Sequence, residues 1–414
     1  MAGRVAIVGS GIVGLCCAYE LARRGHEVTV IDRSGEQRDG CSFGNAGMIV
    51  PSHFVPLAAP GMVALGLRWM WNPESPFYIQ PRFDLELFAW AWRFWRASSA
   101  AHVRRCAPLL RDLSLASRAA YEALDYELDF GLVTRGLLML CKDAHTLEEE
   151  ASMASRAREL GVPAEVLDAR GVAALDPAVT MDVAGGVYFP KDCHLPPDRL
   201  MAALKRRCQE LGVQFAWNSE VSGWRKEGST LRAAVTNHGE VAADEFVLAA
   251  GSWSPGLTTS LRLRLPMQAG KGYSLTLPSP RQLPGLCSIF TEARVAVTPM
   301  DGRLRFGGTM ELSGLNEAVN PRRVQGIIKA VPRYFPEFTP ADFEGVPSWR
   351  GLRPCSPDGM PYVGRTTAAR NLTIATGHAM MGLSLGPVTG QIVAGIVAGE
   401  APAFDLRLLS PDRY

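Results

Sequence analysis

None of the nine cysteines in this 414-residue chain (Cys16, Cys17, Cys41, Cys106, Cys141, Cys193, Cys208, Cys287 and Cys355) falls into a CxxC pair or a zinc-ligand spacing. That removes the usual sequence signatures of a structural metal, and no metal is expected. Scattered and odd in number, they read as reduced thiols of a cytosolic protein. Charge of one sign is also lacking: 43 Lys and Arg balance 41 Asp and Glu, and a net charge of +2 gives no case for a nucleic-acid partner. No run of about 18 uninterrupted apolar residues occurs, so no membrane-spanning helix is expected. Arg4 and the apolar run after it do not read as a secretory leader, because Gly9, Gly11 and Gly14 interrupt the run and Glu20, Arg23 and Arg24 follow. Repeats, low-complexity tracts and a Ser/His/Asp or Cys/His arrangement are missing too.

What remains is an ordinary globular composition, 47% hydrophobic and 20% charged, in a chain long enough for two domains. Arg4 to Val8 reads as a buried strand, Ile12 to Arg24 as a helix closed by Gly25, and Glu27 to Asp32 as a second strand. This βαβ unit predicts a parallel sheet. Helical patterns follow at Ala107 to Tyr126, Leu147 to Leu160 and Asp198 to Leu211, and strands at Gln214 to Glu220 and Glu245 to Ala250 return to the first sheet. Short alternating strands at Tyr273 to Leu277, Val295 to Thr298 and Leu304 to Gly307 predict an antiparallel sheet. A strand at Leu372 to Ala375, a loop at Gly377 to Gly386 and a helix starting at Pro387 and closed by Gly399 end the chain.

The fold class expected is α/β, a Rossmann-like dinucleotide domain interleaved with a domain built on an antiparallel sheet with helices. The boundaries expected are 1–50, 195–264 and 346–414 for the first, and 51–194 and 265–345 for the second.

Gly9-Ser10-Gly11-Ile12-Val13-Gly14 lies between the first strand and its helix. The first glycine makes the tight turn, the second admits a pyrophosphate to the backbone, and the third lets helix and strand pack closely. The helix N-terminus adds N–H donors and partial positive charge. Asp32, at the end of the second strand and followed by Arg33, can accept ribose hydroxyls and disfavours a 2′-phosphate, which leaves NAD or FAD. Cys41 to Ile49 is a small-residue loop that can lie against a flat ring.

Together with GSGIVG and Asp32, the motifs SFGNAG (Ser42 to Gly47), AAPG (Ala58 to Gly61), KGYSLTLP (Lys271 to Pro278), GLRPCSPDGMPYVGR (Gly351 to Arg365) and TGHAMMGLSLGPVTG (Thr376 to Gly390) occur in order. By these motifs the chain resembles the D-amino-acid oxidase superfamily of FAD-dependent oxidoreductases, and most closely its bacterial D-amino-acid dehydrogenases, over nearly its whole length. The resemblance implies non-covalent FAD and oxidation of the Cα–N bond of a small D-amino acid by hydride transfer to flavin N5. The electron acceptor it implies is a quinone or an electron-transfer protein. It places Ser42, Asn45, Gly47 and Met48 on one side of the flavin, Gly377, His378 and Met380 to Leu383 (with Met381 and Gly382) on the other, and Val221, Ala250 and Gly251 beside the adenosine.

Arg353 in GLRP is the expected grip on the substrate carboxylate, against a structural salt bridge as the competing reading. Tyr273 is expected to add a hydroxyl or to cover the site, against the usual core role of a strand tyrosine as the competing reading, and Arg350 to act structurally. His378 is expected to anchor or tune the ring rather than serve as a base, with His53 and His194 weaker candidates for substrate contact and Cys355 a packing residue. Met380 and Met381 form an expected apolar wall suited to a compact or cyclic substrate, such as D-proline or a hydroxy-D-proline. Alternatives are a glycine or sarcosine oxidase using dioxygen, and a flavin-binding subunit of a larger amine dehydrogenase.

Five tryptophans, Trp69, Trp71, Trp90, Trp92 and Trp95, crowd one aromatic stretch. They are expected to cover the site and fill the second domain, with peripheral contact to the inner face of a membrane as the alternative for an otherwise cytoplasmic protein.

Overall fold

The computed structural model describes residues 3–37, 39–70 and 74–414; Trp71 lies outside them. Two sheets organise the described residues. In the first, β1 (Arg4–Val8) lies between β2 (Glu27–Ile31) and Glu245–Leu248, with Gln214–Ala216 beyond β2 and Ala369–Thr376 beyond Glu245–Leu248, all parallel. Tyr362–Thr366 adds an antiparallel edge. Helix α1 (Ile12–Arg23) packs across this sheet and buries Leu15, Cys16, Ala18, Tyr19 and Leu21. A parallel sheet needs cover on both faces, which explains why its strands read as continuous apolar runs.

The second sheet runs Ser348–Cys355, Gln268–Leu277, Arg303–Leu312, Val295–Met300, Cys287–Phe290, Leu137–Cys141, Gly185–Phe189, Glu165–Asp168. Most of its pairs are antiparallel, and helix Pro321–Tyr334 buries Val324, Ile327, Ile328 and Val331 against it. Helices α2 (Met62–Trp69) and α3 (Leu85–Ala97) rest at its edge near Phe77–Ile79.

Three expectations change. The strand Ser348–Cys355, expected in the last dinucleotide-binding segment, pairs with Gln268–Leu277 throughout its length. This strand thus belongs to the second sheet although it follows the boundary expected at residue 346; alternating Trp, Arg and Leu with Gly351 make a strand whose partner is distant in sequence.

Helix α4 (Ala100–Leu128), from the stretch expected in the second domain, packs its apolar row of Cys106, Leu110, Leu113, Tyr121 and Leu124 in the same core as α1.

The final helix starts at Gly382, not Pro387, and runs to Ala398. Pro387 deprives Leu383 O of its helical donor, and the Tyr121 hydroxyl takes that place at 2.7 Å. Gly386 and Gly390 bring this helix onto α1: a Cβ on Gly390 would lie 2.6 Å from Cys16 O. With the preceding turn the helix forms the one stretch among the described residues long and apolar enough to cross a membrane, Ala379–Ala398, yet most of it is buried inside the protein.

Candidate active site

A cavity of about 500 Å³ opens at the C-terminal ends of β1, β2, Glu245–Leu248 and Ala369–Thr376, where open α/β sheets place their ligands. Gly9, Ser10, Gly11, Ile12 and Val13 line it. Gly9 adopts φ +104°, and a Cβ there would lie 2.5 Å from Ala249 O. Gly14 does not line the cavity; its missing Cβ would sit 1.9 Å from Gly9 O, which is the close helix–strand packing its position requires. Asp32 accepts from Ser10 N and Ser34 N, each at 2.8 Å, and from the Ser10 hydroxyl, so its carboxylate is fixed at the strand end. Arg33 stacks on Trp253 with its guanidinium 3.8 Å from the ring centre, beside Val221, Ala250, Gly251 and Leu257.

The Ser42–Gly47 loop is held from behind. Ser42 Oγ accepts from Ile12 N at 3.0 Å. Arg305 donates to Phe43 O at 3.1 Å and Asn45 O at 2.7 Å, and Ser274 donates to Gly44 O at 3.0 Å. Burial lowers the Arg305 pKa to about 10, still a cation at neutral pH. Gly44 has no room for a side chain, because the Trp349 ring would lie 2.0 Å from its Cβ. Ser42 and Asn45 line the cavity. Gly47 and Met48 do not: Gly47 packs on Leu195, and Met48 pairs with His194.

At the far end, Gly382 and Leu383 bring the N-terminus of the last helix to the cavity. His378 is buried and its Nε2 lies 3.0 Å from Thr389 Oγ1. The Thr389 hydroxyl donates its one hydrogen to Leu385 O at 2.7 Å, so Nε2 carries the imidazole proton. Burial lowers the His378 pKa to about 4, which makes it neutral and a weak base. His53 and His194 are likewise held neutral by burial, each near 4, and neither lines the cavity.

Arg353 faces the cavity from Ser348–Cys355. Its Nη1 donates to Thr309 O at 2.6 Å, and it forms no ion pair with a carboxylate among the described residues. Burial lowers its pKa, with Cys41 and Cys355 opposing. The salt-bridge alternative is thereby removed, and the guanidinium keeps donors for a ligand. It lies over Gly272, whose Cβ would come 2.2 Å from Nη2. Arg350, expected to be structural, lines the cavity mouth and ties the two flanking loops together through Asp39 and Glu317.

Four further expected residues, Tyr273, Met380, Met381 and Gly377, are elsewhere. Tyr273 donates to Glu311 at 2.9 Å and accepts from Asn320 N at 3.2 Å, buried beside the Lys271–Glu311 pair. Met380 is exposed and Met381 packs on the core, because the turn Ala379–Met381 puts Ala379, not the methionines, at the cavity. Gly377 is a tight turn against Tyr362. Cys355 packs on Met310, and burial pushes its thiol up to about 12.

Residues not anticipated are Gly272, Ser274, Arg305, Trp253, Glu317 and Asp39. Only Gly272 carried a sequence signal, a glycine inside a strand marking close approach.

A strand-ended pocket with a glycine cradle, a fixed carboxylate, a helix N-terminus and an arginine without a carboxylate partner among the described residues defines a dinucleotide-dependent oxidoreductase. The family described as FAD dependent oxidoreductase (DAO) matches residues 4–396, and the chain belongs to it. Its cofactor is FAD. A D-amino acid dehydrogenase of Bradyrhizobium diazoefficiens is 32% identical over 99% of both chains. Another, of Cereibacter sphaeroides, is 34% identical over 99% of this chain and 95% of its own. Glycine oxidase from Geobacillus kaustophilus superposes with a TM-score of 0.80 at 26% identity over all of both chains.

Proposed function

We propose that this protein is a dehydrogenase of a small D-amino acid. The observation that carries the reading is Arg353: a cavity-facing guanidinium without a carboxylate partner suits a substrate that brings its own carboxylate. FAD, bound non-covalently, supplies the two-electron acceptor. The chain's residues bind and orient. Gly9 to Val13, Asp32, Arg33, Val221, Ala250 and Gly251 hold the dinucleotide half, while Ser42, Asn45, Gly382 and Leu383 hold the ring. The last helix's N–H groups and dipole stabilise negative charge there. Arg353 fixes the carboxylate, and positioning does the catalytic work, since His378 is too weak a base to be central. The substrate gives up two electrons and two hydrogens to become an imine. An acyclic imine then takes up water and leaves as a 2-oxo acid and ammonia.

The division into a dinucleotide domain and a substrate domain follows the two sheets, with the revised boundary after Cys355. A quinone or an electron-transfer protein is the electron acceptor in this reading, the protein being cytoplasmic with peripheral contact to a membrane. The cyclic-substrate expectation rested on Met380 and Met381, which do not line the cavity, so D-proline and hydroxy-D-proline stand level with D-alanine.

Anaerobic bleaching of the bound flavin by a panel of D- and L-amino acids, glycine and cyclic imino acids tests the reading. D-selective bleaching with reoxidation by a quinone or dye is expected. Bleaching by none of them overturns it, and peroxide formed at the rate of substrate loss favours the oxidase suggested by the likeness to glycine oxidase.

A further inference from the structure

Left-handed backbone is costly for an ordinary residue, because its Cβ crowds the following carbonyl; Asn and Asp offset the cost with local hydrogen bonds, and alanine has no such means. Ala379 nevertheless adopts φ +48°. Among the described non-glycine residues with positive φ, it is the one that lines the flavin cavity. Glycine at this position would remove the strain, as it does at Gly377 two residues earlier with φ +77°. The methyl group of Ala379 therefore calls for a reason, and strain of this kind gathers where a ligand is held.

Two neighbours place that methyl. His378 pairs through its backbone with Cys355, at the end of the strand that carries Arg353. Gly382 starts the last helix and lines the cavity. Ala379 lies between these two points in the chain, between the arginine that grips a carboxylate and the residues that hold the ring. A substrate that spans the same gap rests against it. Leu352 and Pro354 line this end of the cavity as well. Ala379 is only partly buried, and on its other side it packs on the cluster of Trp90, Leu312 and Cys355. The space that its methyl closes off is thus apolar.

We propose that Ala379 determines substrate size: its methyl is the wall that meets the substrate side chain, admitting compact D-amino acids, acyclic or cyclic, and excluding long or branched apolar side chains. The inference rests on the dehydrogenase reading and deepens it. An apolar pocket separates substrates that differ by one methylene by about 10–200-fold, so a single methyl is enough to set such a limit. Glycine would relieve the strain only by opening the cavity towards the apolar cluster.

The test compares kcat/KM for D-leucine with kcat/KM for D-alanine, as a ratio within each preparation of FAD-loaded protein, so that any difference in the folded fraction cancels. Ala379→Gly should raise this ratio at least about tenfold over wild type. The amine-free analogues 4-methylpentanoate and propionate, which cannot react, give a second readout through their dissociation constants, followed by flavin absorbance. Ala379→Gly should favour 4-methylpentanoate over propionate by a similar factor. Ala91→Gly is the control: it removes a methyl from the same cluster, on α3 and away from the cavity, and should leave both ratios as in wild type. Unchanged ratios in Ala379→Gly overturn the proposal. An equal shift in Ala91→Gly does so too, because loosened packing would then be the cause, as does a wild-type protein that turns over D-leucine as well as D-alanine. Bleaching by no amino acid at all sinks the dehydrogenase reading instead, and the dissociation constants of the two analogues then decide the wall by themselves.

Discussion

Tyr121 donates its phenolic hydrogen to Leu383 O at 2.7 Å, from the middle of a long helix to the first turn of the last one. The bond exists because Pro387 cannot donate to that carbonyl. It secures the turn whose N–H groups face the cavity. Tyr121→Phe leaves a buried acceptor unpaired, which costs about 1–3 kcal/mol. Urea unfolding should show that loss as a lower midpoint at unchanged slope, with weaker FAD retention. A midpoint equal to wild type would mean that the carbonyl finds another donor.

Arg353 should separate stability from binding. Its guanidinium has one fixed acceptor, Thr309 O, and no carboxylate partner among the described residues. Replacing an uncompensated, partly buried charge with an apolar side chain of similar length removes a desolvation cost. Arg353→Met should therefore unfold at higher temperature than wild type without ligand, by on the order of 1 kcal/mol. It should also lose about a hundredfold or more in kcat/KM for any carboxylate substrate. A variant that is both less stable and fully active would place the substrate elsewhere.

Gly272 offers an independent check on the same arginine. A Cβ there would meet the guanidinium at 2.2 Å, and the obstructed atoms are the end of a flexible side chain. The arginine can move aside, so Gly272→Ala should alter the unfolding midpoint little while raising KM about tenfold or more through a misplaced guanidinium. KM and kcat measured separately decide it; a lowered kcat at unchanged KM would contradict the positioning role.

The sequence showed the dinucleotide turn well, because Gly9, Gly11 and Gly14 act within one local strand–turn–helix unit and Asp32 lies only one strand further on. Contacts made across the chain were hidden. Arg33 on Trp253 joins residues that only the paired strands bring together. Arg305 and Ser274 hold the Ser42 loop from the far sheet with no motif to announce them. The sequence points to a helix start at Pro387 because a proline favours that position, whereas the compensating donor, Tyr121, lies on another helix. Tyr273 follows Gly272, which does face Arg353, yet the alternation of a strand sends its hydroxyl to Glu311.

Asp192 gives the pH prediction. It is fully buried; Ser52 donates to it through its N–H at 3.0 Å and through its hydroxyl, which also contacts His53 Nδ1 at 3.0 Å. Burial raises the Asp192 pKa to about 7, against the opposing pull of Ser52 and Arg118. A folded-state pKa above the unfolded value of 3.8 means that the native protein holds this proton more tightly. The contribution to stability is therefore full below about pH 4, declines as the carboxyl ionises in the unfolded chain, and is lost by about pH 7. Asp192→Asn keeps an acceptor for Ser52 and carries no charge at any pH. It should match wild type near pH 4 and exceed it above pH 7, by on the order of a few kcal/mol. Thermal unfolding of both proteins across that range measures the difference. Parallel curves would show that Asp192 is ionised and well solvated throughout, whereas curves that diverge from acid to neutral pH would fix it as a neutral hydrogen-bond donor over much of the range.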